Sequence, residues 1–191
     1  MNRPSFIKLC LAGGALLTAP FSTLAKTSNR KRVDKGFKVD AGKDRFEKPI
    51  TLFEGDKFYT KVATNDTDGD LYVYESTRLK DGGPALHFHY AQDEFWYVLS
   101  GKFLVKVGEQ TYHAKPGDCV FGPRMVPHAF AKLGDGEGKL LMLFQPAGKM
   151  EHFFKAISEG AEKTMTDAQK LQFREDHGIK VVGPALDYLK Q

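Results

Sequence analysis

Short apolar stretches separated by polar turns run along the chain from about residue 49 to residue 148. Apolar and polar side chains tend to alternate within them, which is the pattern of strands with one buried face. Residues that tolerate a left-handed backbone lie between them, as in 65–70 and at Gly108-Glu109. The pattern predicts ten strands: 50–53, 57–63, 71–79, 86–89, 94–100, 102–107, 110–113, 118–121, 128–132 and 139–145.

The number and spacing of these segments indicate an all-β domain. Many short strands with no helix between them are typical of a sandwich or a barrel. A jelly-roll barrel also hides the strand edges, whose backbone groups would otherwise be unpaired. We therefore expect residues 47–148 to form one jelly-roll β-barrel.

The pattern changes to helix after residue 146. Residues 151–162 carry apolar side chains at helical spacing, and a capping box at Thr166 opens a second helix. Residues 179–186 form an extended tail in this interpretation. We expect residues 149–191 to be a short C-terminal helical extension packed on the barrel, with a subunit interface or a lid as the alternatives.

The first residues have the composition of an export signal. A head containing Arg3 and Lys8 precedes an apolar run at 9–19, and Thr23-Leu24-Ala25 follows. The run is too short to cross a membrane, which takes about 20 apolar residues. The order predicts a signal peptide over residues 1–25 and an exported protein, periplasmic or secreted, with the export route left open.

The charge balance limits the partners of the mature chain. Residues 26–46 are rich in Lys and Arg with few apolar side chains, so we expect a basic flexible arm there. Loss of residues 1–25 removes two of the 28 basic residues against 24 acidic ones and leaves a net charge of about +2. This balance argues against nucleic acid and against a membrane surface as partners.

Cysteine usage excludes an internal disulfide in the mature chain. Cys119 is the one cysteine that remains after residues 1–25 are removed. It lies in the apolar strand predicted at 118–121, so we expect a small core residue rather than a reactive thiol.

Three histidines and one glutamate carry the strongest chemical signal. His87 and His89 are two residues apart, so both imidazoles leave an extended strand on one face. Glu94 follows at the start of the next strand, and His128 begins a later one. Three imidazoles and a carboxylate without a thiolate suit one divalent first-row transition metal: Fe, Mn, Ni, Cu, Co or Zn. The remaining histidines have no partner at ligand spacing: His113, His152 and His177.

Alternation along the strands suggests which aromatic residues accompany this site. Trp96 and Val98 share the strand face of Glu94, so we expect them to line a pocket beside the metal. Tyr72 and Tyr74 form one face of their strand, and the pattern leaves open whether that face points inward.

The same residues carry a family resemblance. The spacing of His87, His89, Glu94 and Gly101 resembles the first motif of the cupins. Residues 116–128, which begin with Pro-Gly-Asp and end with His128, resemble the second motif of the cupins. The glycine of that motif two residues before Pro127 is Met125 in this chain. The resemblance covers roughly residues 70–148, and the segment 176–184 resembles the ends of single-domain cupins of the quercetin-dioxygenase-like group.

The resemblance implies a metal site in a cupin barrel and leaves three kinds of function open. The first is a dioxygenase-like oxidoreductase for a small aromatic or polyphenol-type molecule, in which Glu94 is both ligand and base. The second is a non-redox metal-dependent isomerase, and the third is a binding module without catalysis. Cupins often form dimers, so the resemblance is compatible with a homodimer.

Overall fold

The computed structural model of the protein describes residues 32–52 and 56–187. The predicted signal peptide and residues 26–31 of the predicted arm lie outside the described residues. The described strands are β1 Ile50–Leu52, β2 Asp56–Val62, β3 Tyr72–Arg78, β4 Ala85–His89, β5 Asp93–Ser100, β6 Lys102–Val107, β7 Gln110–Ala114, β8 Cys119–Gly122, β9 His128–Leu133, β10 Gly138–Gln145 and β11 Ile179–Ala185. The α-helices are α1 Met150–Ser158 and α2 Asp167–Asp176.

The strands form two antiparallel sheets. One has the order β1-β2-β3-β10-β5-β8 and the other β11-β4-β9-β6-β7. Strand β10 lies between β3 and β5, so segments distant in the chain become neighbours. The predicted all-β jelly-roll is confirmed, and each predicted strand has its counterpart within a few residues.

Alternation along β5 decides which of its side chains enter the core. Glu94, Trp96 and Val98 are at most 3% exposed, whereas Tyr97 and Leu99 are 36% and 41% exposed. Successive side chains on a strand point to opposite faces, so a one-residue slip would expose the apolar set. This register brings the Glu94 carboxylate inside the barrel.

Cys119 is exposed, so its predicted place in the core is wrong. It is the register partner of Tyr97, whose ring faces outward. Residues directly opposite on antiparallel strands share a sheet face. The pairing with β5, which the apolar composition of β8 does not reveal, therefore places this thiol outside.

The C-terminal segment contributes a strand as well as helices. Strand β11 pairs with β4 in a register that puts Val181 opposite His87 and Ile179 opposite His89. The Thr166 side chain accepts from the Gln169 backbone N–H and caps α2, as predicted. Among the described residues, no helix combines the length and the apolarity needed to cross a bilayer.

The end of the predicted arm has definite contacts with the barrel. Asp44 is 6% exposed, and its carboxylate accepts from the Thr60 backbone N–H at 2.7 Å. Arg45 forms an ion pair with Asp66 at 3.1 Å. A buried carboxylate is retained only where donors satisfy it, so these residues pack on the barrel rather than forming part of a flexible arm.

Gly122 on β8 is required by close packing. A Cβ at this position would lie 2.6 Å from Trp96 and 3.3 Å from His128 Nδ1. We expect Gly122→Ala to lower the free energy of unfolding by about 1–3 kcal/mol because the core must be overpacked. Denaturant unfolding followed by tryptophan fluorescence measures this change.

The matched control is Gly36→Ala. Its Cβ would have no neighbour within 4 Å, and its backbone is not left-handed. We expect its effect to stay within about 0.5 kcal/mol. Equal destabilisation by both substitutions would contradict the packing role of Gly122.

Candidate metal centre

The four predicted ligands lie together inside the barrel. His87 and His89 come from β4, Glu94 from the start of β5 and His128 from the start of β9. One potential ligand atom from each lies within 4.8 Å of the others. His87 and His128 are register partners, so pairing of β4 with β9 brings the early and late histidines side by side.

The cluster is shielded from water. His89 and His128 have no exposed surface, Glu94 is 3% exposed, and His87 is half-buried. The three imidazole ring centres lie 4.7, 5.1 and 5.3 Å apart. Half-burial of His87 leaves one side of the cluster facing the cavity described below.

Two of the imidazoles are oriented by backbone carbonyls. His87 Nδ1 lies 2.7 Å from the Ala85 oxygen, and His128 Nδ1 lies 2.9 Å from the Val126 oxygen. A carbonyl can only accept, so each Nδ1 carries the proton and each Nε2 keeps its lone pair. Such a hydrogen bond on the far nitrogen is the usual support of a metal-binding histidine.

Glu94 lies against the other two imidazoles. Its Oε2 is 3.1 Å from the Nε2 atoms of both His89 and His128. Burial raises the pKa of the Glu94 carboxyl, and the neighbouring His128 and His89 lower it by more, so the net shift is downward. The carboxylate is therefore the stable form at neutral pH.

His87 is held in its neutral form. Burial, followed by the positive charges that His89 and His128 can carry, lowers the pKa of His87 to about 3. At neutral pH its imidazole is thus unprotonated, as metal binding requires.

These residues fit a divalent metal. His128 Nε2 is buried and has no hydrogen-bond partner in the described part of the chain, although it faces the centre of the cluster. Metal bonds of about 2.0–2.2 Å bring ligand atoms within roughly 3–4 Å of one another, close to the observed spacing. Imidazole and carboxylate together suit first-row divalent ions. His87, His89, Glu94 and His128 would hold the ion.

Met125 supports the cluster from a left-handed backbone. Its φ is 64°, and its N–H donates to the carbonyl oxygen of His89 at 2.8 Å. This conformation costs a non-glycine residue about 1–2 kcal/mol, which explains why glycine occupies the position in the motif. The bond holds the end of the strand that carries His89.

A cavity of about 510 Å³ opens beside the cluster. His87, His89 and Glu94 contribute to its wall. The remaining wall is largely apolar and aromatic, with side chains from both sheets and from α1: Phe58, Tyr74, Phe130, Met142, Phe144, Phe153 and Phe154. An enclosure of this size and composition accommodates a small, mainly apolar organic molecule.

Several lining residues were missed by the sequence analysis. Tyr74 faces the cavity, and Arg78 and Asp56 line it further along the same sheet. The alternation of Tyr72 and Tyr74 was a usable signal, but the inward direction depends on pairing with β10 and β2. Side chains of α2 also line the cavity, because the fold returns this helix to the barrel.

Trp96 and Val98 face inward but pack in the core, so their expected place in the pocket wall is wrong. The Trp96 ring lies 5.3 Å from that of His128 and supports it from behind.

The other three histidines lie outside the cluster. His113 is exposed on β7. His152 Nδ1 and His177 Nε2 lie 2.9 Å apart and join α1 to the end of α2.

Part of the chain matches a known protein family. Residues 69–144 match the family described as Cupin domain. An uncharacterised protein of Methanocaldococcus jannaschii is 31% identical over 61 residues, which are 32% of this chain and 49% of that protein. The chain thus spans about half the length of this curated relative.

Solved structures with a similar fold include KdgF from Halomonas sp., with 21% identity and a TM-score of 0.46 over 52% of this chain and 87% of the other. A RmlC-like cupin from Shewanella frigidimarina has 22% identity and a TM-score of 0.46 over 59% of this chain and 96% of the other. Likeness at this level carries no inference about activity. The match to the cupin domain covers residues 69–144, which include the four candidate ligands. The two-sheet jelly-roll agrees with that match.

Proposed function

We propose that the protein is a metal-dependent oxidoreductase of the dioxygenase type that acts on a small aromatic, polyphenol-like molecule. The observation that carries the proposal is the placement of a three-histidine, one-carboxylate cluster beside an aromatic cavity whose wall includes His87, His89 and Glu94. His87, His89, Glu94 and His128 would hold the ion, and the aromatic side chains of the cavity wall would hold the rings of the substrate. The segment 176–184 also supports the quercetin-dioxygenase-like group within the cupins.

A divalent ion bound by the four residues would supply Lewis acidity and open coordination positions. Glu94 provides the base. The pKa of Glu94 lies below its usual range, so the carboxylate is ionised at neutral pH. A substrate hydroxyl that approaches from the cavity would give its proton to this carboxylate once the bound ion has made the hydroxyl more acidic. The carbonyl contacts of His87 and His128 keep both rings oriented during that transfer.

The cavity wall positions the substrate and excludes water. Phe144 is 1% exposed and its ring lies 5.1 Å from that of His89, so the apolar surface reaches the cluster itself. Burial and then the Glu94 charge raise the pKa of Tyr74 well above its usual range. The phenol therefore stays protonated at neutral pH and can donate to a substrate oxygen.

We expect His87→Ala, His89→Ala and His128→Ala each to weaken metal binding by at least about 10–100-fold. Each substitution removes one imidazole from the cluster, and elemental analysis of purified protein measures the retained metal. His113→Ala is the control because this exposed histidine on β7 is remote from the cluster. Equal metal content in His113→Ala and His128→Ala would contradict the ligand assignment.

Glu94→Gln separates metal binding from chemistry. Loss of the charge weakens metal binding, and loss of the base lowers turnover by a further factor of about 10²–10⁴ after metal is restored. Oxygen uptake with catechols and flavonols measures turnover, and calorimetry measures whether the substrate still binds.

Glu75→Gln is the matched control for Glu94→Gln. Glu75 is also buried, at 8% exposure, but pairs with Lys61 at 3.1 Å and is absent from the cavity wall. Full turnover by metal-loaded Glu94→Gln would exclude Glu94 as the base. If the native metal is zinc and the wild type takes up no oxygen, the isomerase is favoured. If the wild type binds a ligand tightly but does not turn it over, the binding module is favoured.

We also propose that the protein is exported. The support is the order of basic head, apolar run and Thr23-Leu24-Ala25 in the sequence. We expect N-terminal sequencing of the native protein to find a chain that begins near Lys26 in the extracytoplasmic fraction. An intact Met1 chain in the cytosol would contradict export.

A further inference from the structure

An ion pair at the surface joins two segments that lead into the candidate metal centre. Arg124 lies in the loop between β8 and β9, four residues before His128, and Asp93 is the first residue of β5, directly before Glu94. The Nε of Arg124 donates to Asp93 Oδ1 at 3.0 Å, and its Nη2 donates to Oδ2 at 2.6 Å. A guanidinium that contacts both oxygens of one carboxylate is fixed in orientation as well as in position.

Two further hydrogen bonds attach the same loop to the barrel. The backbone N–H of Arg124 donates to Asp93 Oδ1 at 2.9 Å, and Nη2 also donates to the carbonyl oxygen of Gln145 at 3.3 Å. Gln145 is the last residue of β10 and the register partner of Asp93. Arg124 therefore holds its loop against two paired strands, at the start of β5 and the end of β10.

The two residues that follow Arg124 contact candidate ligands through the backbone. The Met125 N–H donates to the carbonyl oxygen of His89 at 2.8 Å. The Val126 carbonyl oxygen accepts from Nδ1 of His128 at 2.9 Å. Displacement of this loop would thus move two imidazoles relative to the carboxylate of the cluster.

Its position distinguishes this ion pair from an ordinary surface pair. Lys139 and Glu137 also form an ion pair, at 2.8 Å, with side chains that are 36% and 42% exposed. Exposed pairs of this kind contribute little to the stability of a fold. The pair of Arg124 and Asp93 is also partly exposed, but it connects residues 31 positions apart, on segments that continue into two of the candidate ligands.

We propose that Arg124 is a positioning residue of the metal centre. By holding the β8–β9 loop on Asp93, it fixes the separation of the Glu94 carboxylate from the two imidazoles that the loop contacts. Ligands held in place before the ion arrives bind it more tightly, because less order has to be imposed on binding. This inference rests on the metal binding that the proposed function requires, and it is independent of the reaction.

Arg124→Gln removes the bidentate contact and tests this inference with Co²⁺ as the probe. We expect the affinity for Co²⁺ to fall by about 10-fold, the lower end of the loss that follows removal of a partner of a metal ligand. Competition with a chromophoric chelator measures the affinity. The absorption bands of bound Co²⁺ depend on the arrangement of its ligands, so we also expect them to shift.

The sign of the effect separates positioning from charge. Loss of a positive charge near a cation site, acting through Coulomb's law alone, would strengthen the binding of Co²⁺. Arg124→Lys keeps the charge but lacks the bidentate contact, so a smaller loss of affinity in this variant cannot come from charge. It also provides the test if Arg124→Gln is unstable.

Asp93→Asn removes the other half of the ion pair and should weaken Co²⁺ binding as well. Because the two side chains act as one unit, the double variant with Arg124→Gln should lose little more affinity than the more affected single variant. Losses that add up in the double variant would contradict a shared role.

Glu137→Gln is the matched control, because its ion pair lies at the start of β10, at the opposite end from Gln145. It should keep the wild-type affinity and absorption bands. The denaturant midpoints of metal-free Arg124→Gln and Glu137→Gln should be similar, which separates a change of position from a loss of fold.

Two outcomes would overturn the inference in different ways. If Arg124→Gln and Arg124→Lys keep the wild-type affinity for Co²⁺, or bind the ion more tightly, the positioning role is wrong while the proposed function stands. If the wild type binds no divalent ion, both are overturned.

Discussion

A carboxylate buried among three imidazoles is the constraint on which the rest of the structure depends. Glu94 is almost fully buried, and the hydrogen bond to His89 Nε2 at 3.1 Å offsets part of the free-energy cost of burying its charge. This arrangement requires β4, β5 and β9 to meet at one point with a single register. A slip of one residue in any of them would turn its polar side chain out of the cluster.

The surrounding backbone is shaped to hold that register. Strand β4 lies between β9 and β11, so the strand with two histidines is paired on both sides. Gly122 lets Trp96 and His128 approach more closely than any side chain would permit. Met125 adopts a strained conformation that donates to the His89 carbonyl. Local strain at such positions is maintained because a relaxed backbone there would disrupt the packed sheets around them.

The cavity connects this polar cluster to an apolar interior. Its wall combines both sheets with the C-terminal helices, so the barrel alone does not complete it. The aromatic side chains give affinity for flat apolar molecules without fixing their orientation. Orientation then depends on the polar side chains among the described lining residues: Asp56, Tyr74, Arg78, His87, His89, Glu94 and Arg174.

The sequence by itself determined the strand pattern and the grouping of the four candidate ligands, because alternation and the spacing of His87 and His89 are local properties that survive folding. It could not place Cys119, Tyr74 or Trp96 correctly relative to the solvent and the cavity. For these residues the outcome depends on which strand lies opposite, and that pairing joins segments far apart in the chain. The ion pair of Arg78 likewise has no local signal, because only the tertiary structure brings Asp56, Phe130 and the cavity around this side chain.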